Sequence, residues 1–244
     1  MTGEQLYSGG YYSNRDDRTR YSAELILSRV LDVLPEVRSV IDIGCGVGTW
    51  LSVAQAKGVE RVDGYDGPWV TRENLEIPEE CFHENNLSER LALTSNYDLG
   101  ISLEVLEHIP ADSADELLAQ LSTHCRFLLF GAAVPQQGGT GHINERPQSY
   151  WHEVICSQGF VAYDLIRPTI WSDAHIPYWY KQNPLLYVRN EEVSALPDTV
   201  TPYRVGEHTL LDVVHPGLLD KHIRSKERRS SRARFKRLLG IRSR

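Results

Sequence analysis

Apolar residues recur at three- and four-residue intervals across residues 23–35, AELILSRVLDVLP, and the run stops at Pro35. That is the spacing of a helix with one buried face. The pattern then changes. Residues 39–44, SVIDIG, are a short apolar run that reads as a buried strand, and WLSVAQAKG (50–58) returns to helical spacing and closes on Gly58 as a C-cap. RVDGYDG (61–67) predicts a second short strand ending in a turn. YDLGISLEVLEHIP (97–110) predicts a third strand running into a helical start. The helix ADSADELLAQLSTHC (111–125) follows, with acids in its first turns, where the helix dipole favours them. RFLLFGAAVP (126–135) is another strand, RPQSYWHEVICSQGF (146–160) a helix with Pro147 near its start, and FVAYDLI (160–166) and PLLYVRN (184–190) two closing strands. Strands alternating with helices predict an α/β fold with a mostly parallel sheet covered on both faces.

Composition narrows this picture. A chain of 244 residues, 41% hydrophobic, can bury a core as one domain with room for an insertion or tail. Its longest apolar stretch, FLLFGAAV (127–134), is too short to span a bilayer. The N-terminus lacks the basic, apolar and small-residue succession of a signal peptide. Cys45, Cys81, Cys125 and Cys156 are scattered, with no CxxC pair, which argues against a zinc site or disulfide framework and predicts a cytoplasmic protein. No ligand spacing in the sequence argues for a metal. The net charge of −7 conceals an asymmetry. Residues 221–244 hold 11 of the 26 Lys and Arg and one of the 33 Asp and Glu, which leaves 15 against 32 in residues 1–220. An acidic body (1–220) therefore carries a basic tail (221–244), and a polyanion such as nucleic acid is an unfavourable partner for that body.

The candidate chemistry centres on VIDIGCGVGTW (40–50). A strand, a glycine-rich turn and a helix form a nucleotide-binding corner, because glycines let the backbone approach a ligand and the helix offers free N–H groups. A dinucleotide fingerprint would be GxGxxG, but here Asp42 precedes Gly44, Gly46 and Gly48, and the final position is Thr49. An acid at Asp42 suits a ligand that carries positive charge. Cys45, between two of the glycines and with no adjacent basic partner, reads as a small buried residue rather than a nucleophile. These residues resemble the first motif of class I S-adenosylmethionine-dependent methyltransferases. Further motifs follow in order: VDGYD, ENNL and SLEVLEHIP. The resemblance implies a Rossmann-like, doubly wound, seven-stranded and mostly parallel sheet with helices on both faces. It implies S-adenosyl-L-methionine as cofactor, held by Asp42, Gly44, Cys45, Gly46 and Gly48 at the turn. Asp66 would take the ribose hydroxyls, Asn86 and Leu87 the adenine, and Leu103 and Glu104 the methionine end.

The second half of the chain speaks to the methyl acceptor. GGTGHINERPQSYW (138–151) follows the fifth strand, at the cofactor's edge of the sheet, and its glycines suit a loop that closes over substrate. An aromatic insertion at about 167–183 holds Trp171, His175, Trp179 and Tyr180, residue types that stack on a ring or on the apolar face of a sugar. Both segments resemble a group of bacterial methyltransferases associated with glycan and natural-product assembly, which implies O-methylation of a sugar hydroxyl on a small-molecule or lipid-linked glycan. A hydroxyl acceptor needs a base, and His142 is the first candidate, His108 the second and His175 the third; Glu145 and Glu104 are placed to orient a base or bind acceptor hydroxyls. Asn144 is a further acceptor contact. Tyr12 and Tyr21 stand where an N-terminal lid would lie. In the tail, Phe235, Leu238, Leu239 and Ile241 fall at rough helical spacing among arginines, a pattern for peripheral contact with an anionic membrane at the inner surface. Two other readings remain open at this point: a tRNA or other nucleic-acid methyltransferase, and a cofactor-binding scaffold without catalysis.

Overall fold

The computed structural model describes residues 13–238, with side chains over 17–228. Tyr12, Leu239 and Ile241, and the side chains of Phe235 and Leu238, lie outside the described residues. Seven strands make one sheet: β1 (Ser39–Ile43), β2 (Arg61–Asp66), β3 (Phe82–Glu84), β4 (Tyr97–Leu103), β5 (Cys125–Gly131), β6 (Phe160–Tyr163) and β7 (Leu185–Arg189). Their spatial order is β3-β2-β1-β4-β5-β7-β6. All neighbours pair in parallel except β7, which runs antiparallel to β5 and β6.

Alternation along each strand feeds two cores. Val40 packs under α1 (Ser13–Leu31) and α2 (Thr49–Ala56), while Ile41 and Ile43 face α3 (Ala111–His124) and α4 (Gln148–Ser157). Phe127 and Leu129 go to the first face, Leu128 and Phe130 to the second. Burial on both sides is why these strands read as continuous apolar runs. Between β6 and β7 lie two short helices, α5 (Arg167–Ile170) and α6 (Tyr178–Gln182), and the last helix is α7 (Pro216–Leu238).

Two expectations change. The first helix begins ten residues earlier than its apolar run, at Ser13, with its added turns polar. EVLEH does not begin a helix: residues Leu106–His108 make one 3-10 turn, and α3 starts afresh after Pro110. The strand that the pattern did not reveal, β3, has only three residues and a polar centre, His83. The order of strands reverses between β1 and β4, so the crevice at their carboxyl ends is the place where a fold of this kind takes ligands.

Candidate active site

That crevice is a cleft of about 690 Å³. Its floor is the turn between β1 and α2. Gly44 has φ of +79°, and a Cβ there would stand 2.3 Å from Val105 Cγ2, so no side chain fits. The Gly46 N–H reaches across to β2 and donates to Asp66 Oδ2 at 2.7 Å; the Gly67 N–H donates to Oδ1 at 2.7 Å, and the Trp69 indole adds a third bond. Burial nevertheless outweighs these bonds and holds the Asp66 carboxyl above its ordinary range. Asp42 is pushed up further, by complete burial first and the charge of Asp66 second. Two buried acids at one turn make the floor a favourable seat for positive charge. Burial likewise raises the Cys45 thiol, whose Sγ donates to the Gly46 carbonyl at 3.4 Å, so this cysteine stays protonated and packs as a small apolar group.

Leu87 is buried at the cleft wall, and Asn86 is exposed at its mouth. The Asn86 amide donates to Glu89 Oε1 at 2.8 Å, while its oxygen accepts from the Ser88 N–H at 3.1 Å, which fixes the turn that carries Leu87. Leu103 ends β4. Glu104 follows with φ of +61°, a conformation that costs about 1–3 kcal/mol in a non-glycine residue and persists only where its surroundings hold it. They do: its N–H donates to the Gly131 carbonyl, and its two carboxylate oxygens accept from the Gln137 and Asn183 amides.

The 3-10 turn then sets Glu107 and His108 against the loop after β5. The Glu107 carbonyl accepts from the N–H groups of Ile143 (2.8 Å) and Asn144 (3.0 Å), stitching loop to turn. His142 is thereby placed edge-on to His108, ring centres 4.7 Å apart. Its Nδ1 donates to Glu145 Oε1 at 2.8 Å, and its Nε2 lies 4.0 Å from Glu107 Oε1. Glu145 also accepts from the N–H groups of Gln136 and Gly138, both at 2.7 Å. Glu107 is fully buried, and neither carboxylate oxygen completes a hydrogen bond among the described residues. The N–H groups of Glu107 itself and of Ala133 lie on the same side and offset part of the cost, but burial, then the charge of Glu104, drives this carboxyl well above its usual range.

Residues 14–157, well over half of the chain, match the family described as methyltransferase domain. The chain belongs to that family. No curated protein matches this methyltransferase. Its fold is shared with the magnesium protoporphyrin IX methyltransferase of Synechocystis PCC 6803, solved with bound SAM, at 21% identity and a TM-score of 0.51, over 77% of this chain and 88% of that one. CalS10, an amino pentose methyltransferase from Micromonospora echinaspora, aligns at 13% identity and a TM-score of 0.53, over 75% and 98%. KedS8, a sugar N-methyltransferase from Streptoalloteichus, aligns at 13% and 0.53, over 69% and 86%.

In this methyltransferase Trp179 and Tyr180 line the cleft, Tyr180 edge-on to Trp50 of α2 at 5.5 Å. Other residues expected at the site lie elsewhere. Gly48 caps α2 with its back to Ile77, outside the cleft lining. Asn144 is buried behind the loop, its amide donating to the Leu106 carbonyl and its oxygen accepting from Arg146. Trp171 lies tilted against the His215 ring and accepts from it through its carbonyl. His175 is 80% exposed and paired with Asp173, which also accepts from Tyr21, so Tyr21 anchors α1 to this insertion. Sequence reasoning missed Glu107, Gln137, Asn183 and Lys221. Lys221, on α7, donates to the Gln137 and Gly138 carbonyls, each at 2.8 Å, and to the Tyr178 hydroxyl at 3.2 Å, and it lines the cleft. His222 beside it reaches the Gln136 carbonyl at 2.8 Å. A lysine counted as tail charge is therefore part of the site wall.

Proposed function

We propose that this methyltransferase uses S-adenosylmethionine to methylate a hydroxyl of a sugar, free or within a glycosylated metabolite or glycan. The observation that carries the reading is the junction at Glu104: the cationic-ligand floor of Asp42 and Asp66 meets the polar wall of Glu107, His108 and His142 in one cleft. The residues fit the cofactor. Gly44 and Gly46 leave the turn bare for close approach, Asp66 stands at the end of β2 to receive ribose hydroxyls, and Asp42 favours the cationic amino acid end. Asn86 and Leu87 flank the adenine side, and Leu103 and Glu104 the methionine side.

When bound, the cofactor supplies a methyl group activated by positively charged sulfur. The chain's own task is alignment and proton removal. His142, with Nδ1 held by Glu145, turns Nε2 toward Glu107 and meets the acceptor hydroxyl there. Glu145 is a positioning residue, since its contacts are His142 and two loop N–H groups. Trp179 and Tyr178 offer flat apolar surface for a sugar face. Two structural neighbours are an amino pentose methyltransferase and a sugar N-methyltransferase, which favours a sugar as the acceptor, while a third is a magnesium protoporphyrin IX methyltransferase. The acidic body disfavours a nucleic-acid acceptor. The basic tail suits peripheral contact with an anionic membrane, where a lipid-linked glycan would be met; no described helix is long and apolar enough to cross one.

Calorimetric titration with S-adenosylmethionine and S-adenosylhomocysteine tests the reading. Wild type is expected to bind both, and Asp66→Ala to lose at least about tenfold in affinity, the loss of hydrogen bonds to a buried charge. A folded wild type that binds neither ligand overturns the proposal.

A further inference from the structure

We propose that Glu107, His108 and His142 form a binding site for a first-row divalent cation, and that the acceptor hydroxyl completes its coordination. This rests on the methyltransferase reading and deepens it. One ligand atom from each of the three residues lies within 4.8 Å of the other two. Donors around a metal with bonds of about 2.1 Å stand roughly 3–4 Å apart, so small side-chain rotations close the set.

Two features call for a cation rather than a chance cluster. The first is the Glu107 carboxylate, fully buried, with no complete hydrogen bond to either oxygen among the described residues and only the backbone N–H groups of Glu107 and Ala133 on its side. A buried carboxylate is retained only if something compensates it. The second is the orientation of His142. The Glu145 carboxylate accepts from Nδ1, as well as from two backbone N–H groups, so the proton sits on Nδ1. Its Nε2 is thereby turned toward Glu107 Oε1, 4.0 Å away. A carboxylate oxygen and a ring nitrogen face each other across a gap of the width that two ligands of one cation span. A carboxylate behind the distal nitrogen of a ligating histidine is also the arrangement that fixes metal-binding imidazoles. Two imidazoles and one carboxylate favour Mn2+, Co2+ or Zn2+ over Mg2+ or Ca2+, which prefer oxygen throughout.

The cation would give the hydroxyl an acidity it lacks in water. The bound hydroxyl releases its proton to solvent. The oxygen lone pair then forms the new C–O bond as the C–S bond breaks, its electron pair passing to sulfur. His142 serves in this scheme as a ligand, and the cation takes over the activation of the hydroxyl.

Titration of the chelator-treated full chain with Co2+, followed by visible absorption, tests the site. Wild type is expected to develop d–d bands saturating near one equivalent. Glu107→Gln and His142→Ala are each expected to weaken binding by tenfold or more, and His208→Ala, exposed and outside the cleft lining, to leave it unchanged. Titration of every variant with S-adenosylhomocysteine certifies its fold; if Glu107→Gln fails that control, His142→Ala and His108→Ala decide. A wild type that binds S-adenosylhomocysteine but shows no Co2+ bands overturns the metal site and leaves the methyltransferase reading intact. Bands that survive both His142→Ala and His108→Ala also overturn it. Co2+ bands without any S-adenosylhomocysteine binding support the site and sink the reading on which its role rests.

Discussion

At the scale of single residues, the turn between β1 and α2 separates two demands that look alike in the sequence. Gly44 and Gly46 both adopt positive φ, but a Cβ on Gly44 would strike Val105, whereas one on Gly46 would meet nothing within 4 Å. Gly46→Ala is expected to cost about 1–2 kcal/mol of stability from backbone strain alone, and Gly44→Ala distinctly more, as urea denaturation would measure. Because the open space beside Gly46 belongs to the cleft, Gly46→Ala should also lose cofactor affinity out of proportion to its modest effect on stability. Asp42 supplies a pH signature. Its carboxyl is raised in the free protein by burial and by Asp66. A cationic ligand favours the ionised form, so the complex holds fewer protons than the free protein, and affinity rises with pH above the ordinary carboxylate range. Calorimetry in buffers of different ionisation enthalpy, just above the ordinary carboxylate range, is expected to show proton release on binding S-adenosylmethionine. Proton uptake would contradict this account of Asp42.

At the scale of elements, the site is a strand-end turn, a 3-10 turn and a loop, held together by a helix from far along the chain. Lys221→Met removes three donated bonds, two to loop carbonyls and one to Tyr178, while leaving the cofactor floor untouched. Cofactor affinity is expected to stay within about twofold, while kcat/KM for the acceptor falls by roughly tenfold, the signature of a misplaced loop; a matching loss in cofactor affinity would assign Lys221 to the cofactor instead. What was legible beforehand follows the same division. The glycine turn, Asp66 and Leu103–Glu104 belong to local strand-to-turn patterns, and short-range sequence carries them. Glu107 was hidden because EVLEH has the spacing of a helix start, and only Pro110 and the 3-10 geometry turn its carboxylate inward. Lys221 lies 84 residues from the carbonyl of Gln137, and nothing local distinguishes it from the charges that follow. Asn144 was misleading for the opposite reason: a polar residue in a site loop looks like chemistry, yet its amide is consumed in fastening the loop from behind.

At the scale of the whole molecule, charge is divided along the chain, and the cleft lies in the acidic part. Residues 229–244 hold seven Lys and Arg and no acid. If this segment draws the enzyme to an anionic surface, the full chain should cosediment with phosphatidylserine vesicles at low salt and dissociate at high salt, since each cation contributes about 1 kcal/mol near such a surface. A chain ending at residue 228 keeps Lys221 and should remain in the supernatant with unaltered cofactor binding. Binding of that shorter chain would place the contact elsewhere. The position of Lys221 also has a consequence for how the enzyme is made. Every strand of the sheet is complete in chain order by Arg189, whereas the lysine that fastens the acceptor loop comes later, in α7. A nascent chain therefore holds all its sheet before it holds a finished cleft wall, and that wall closes only once α7 has followed β7 out of the ribosome.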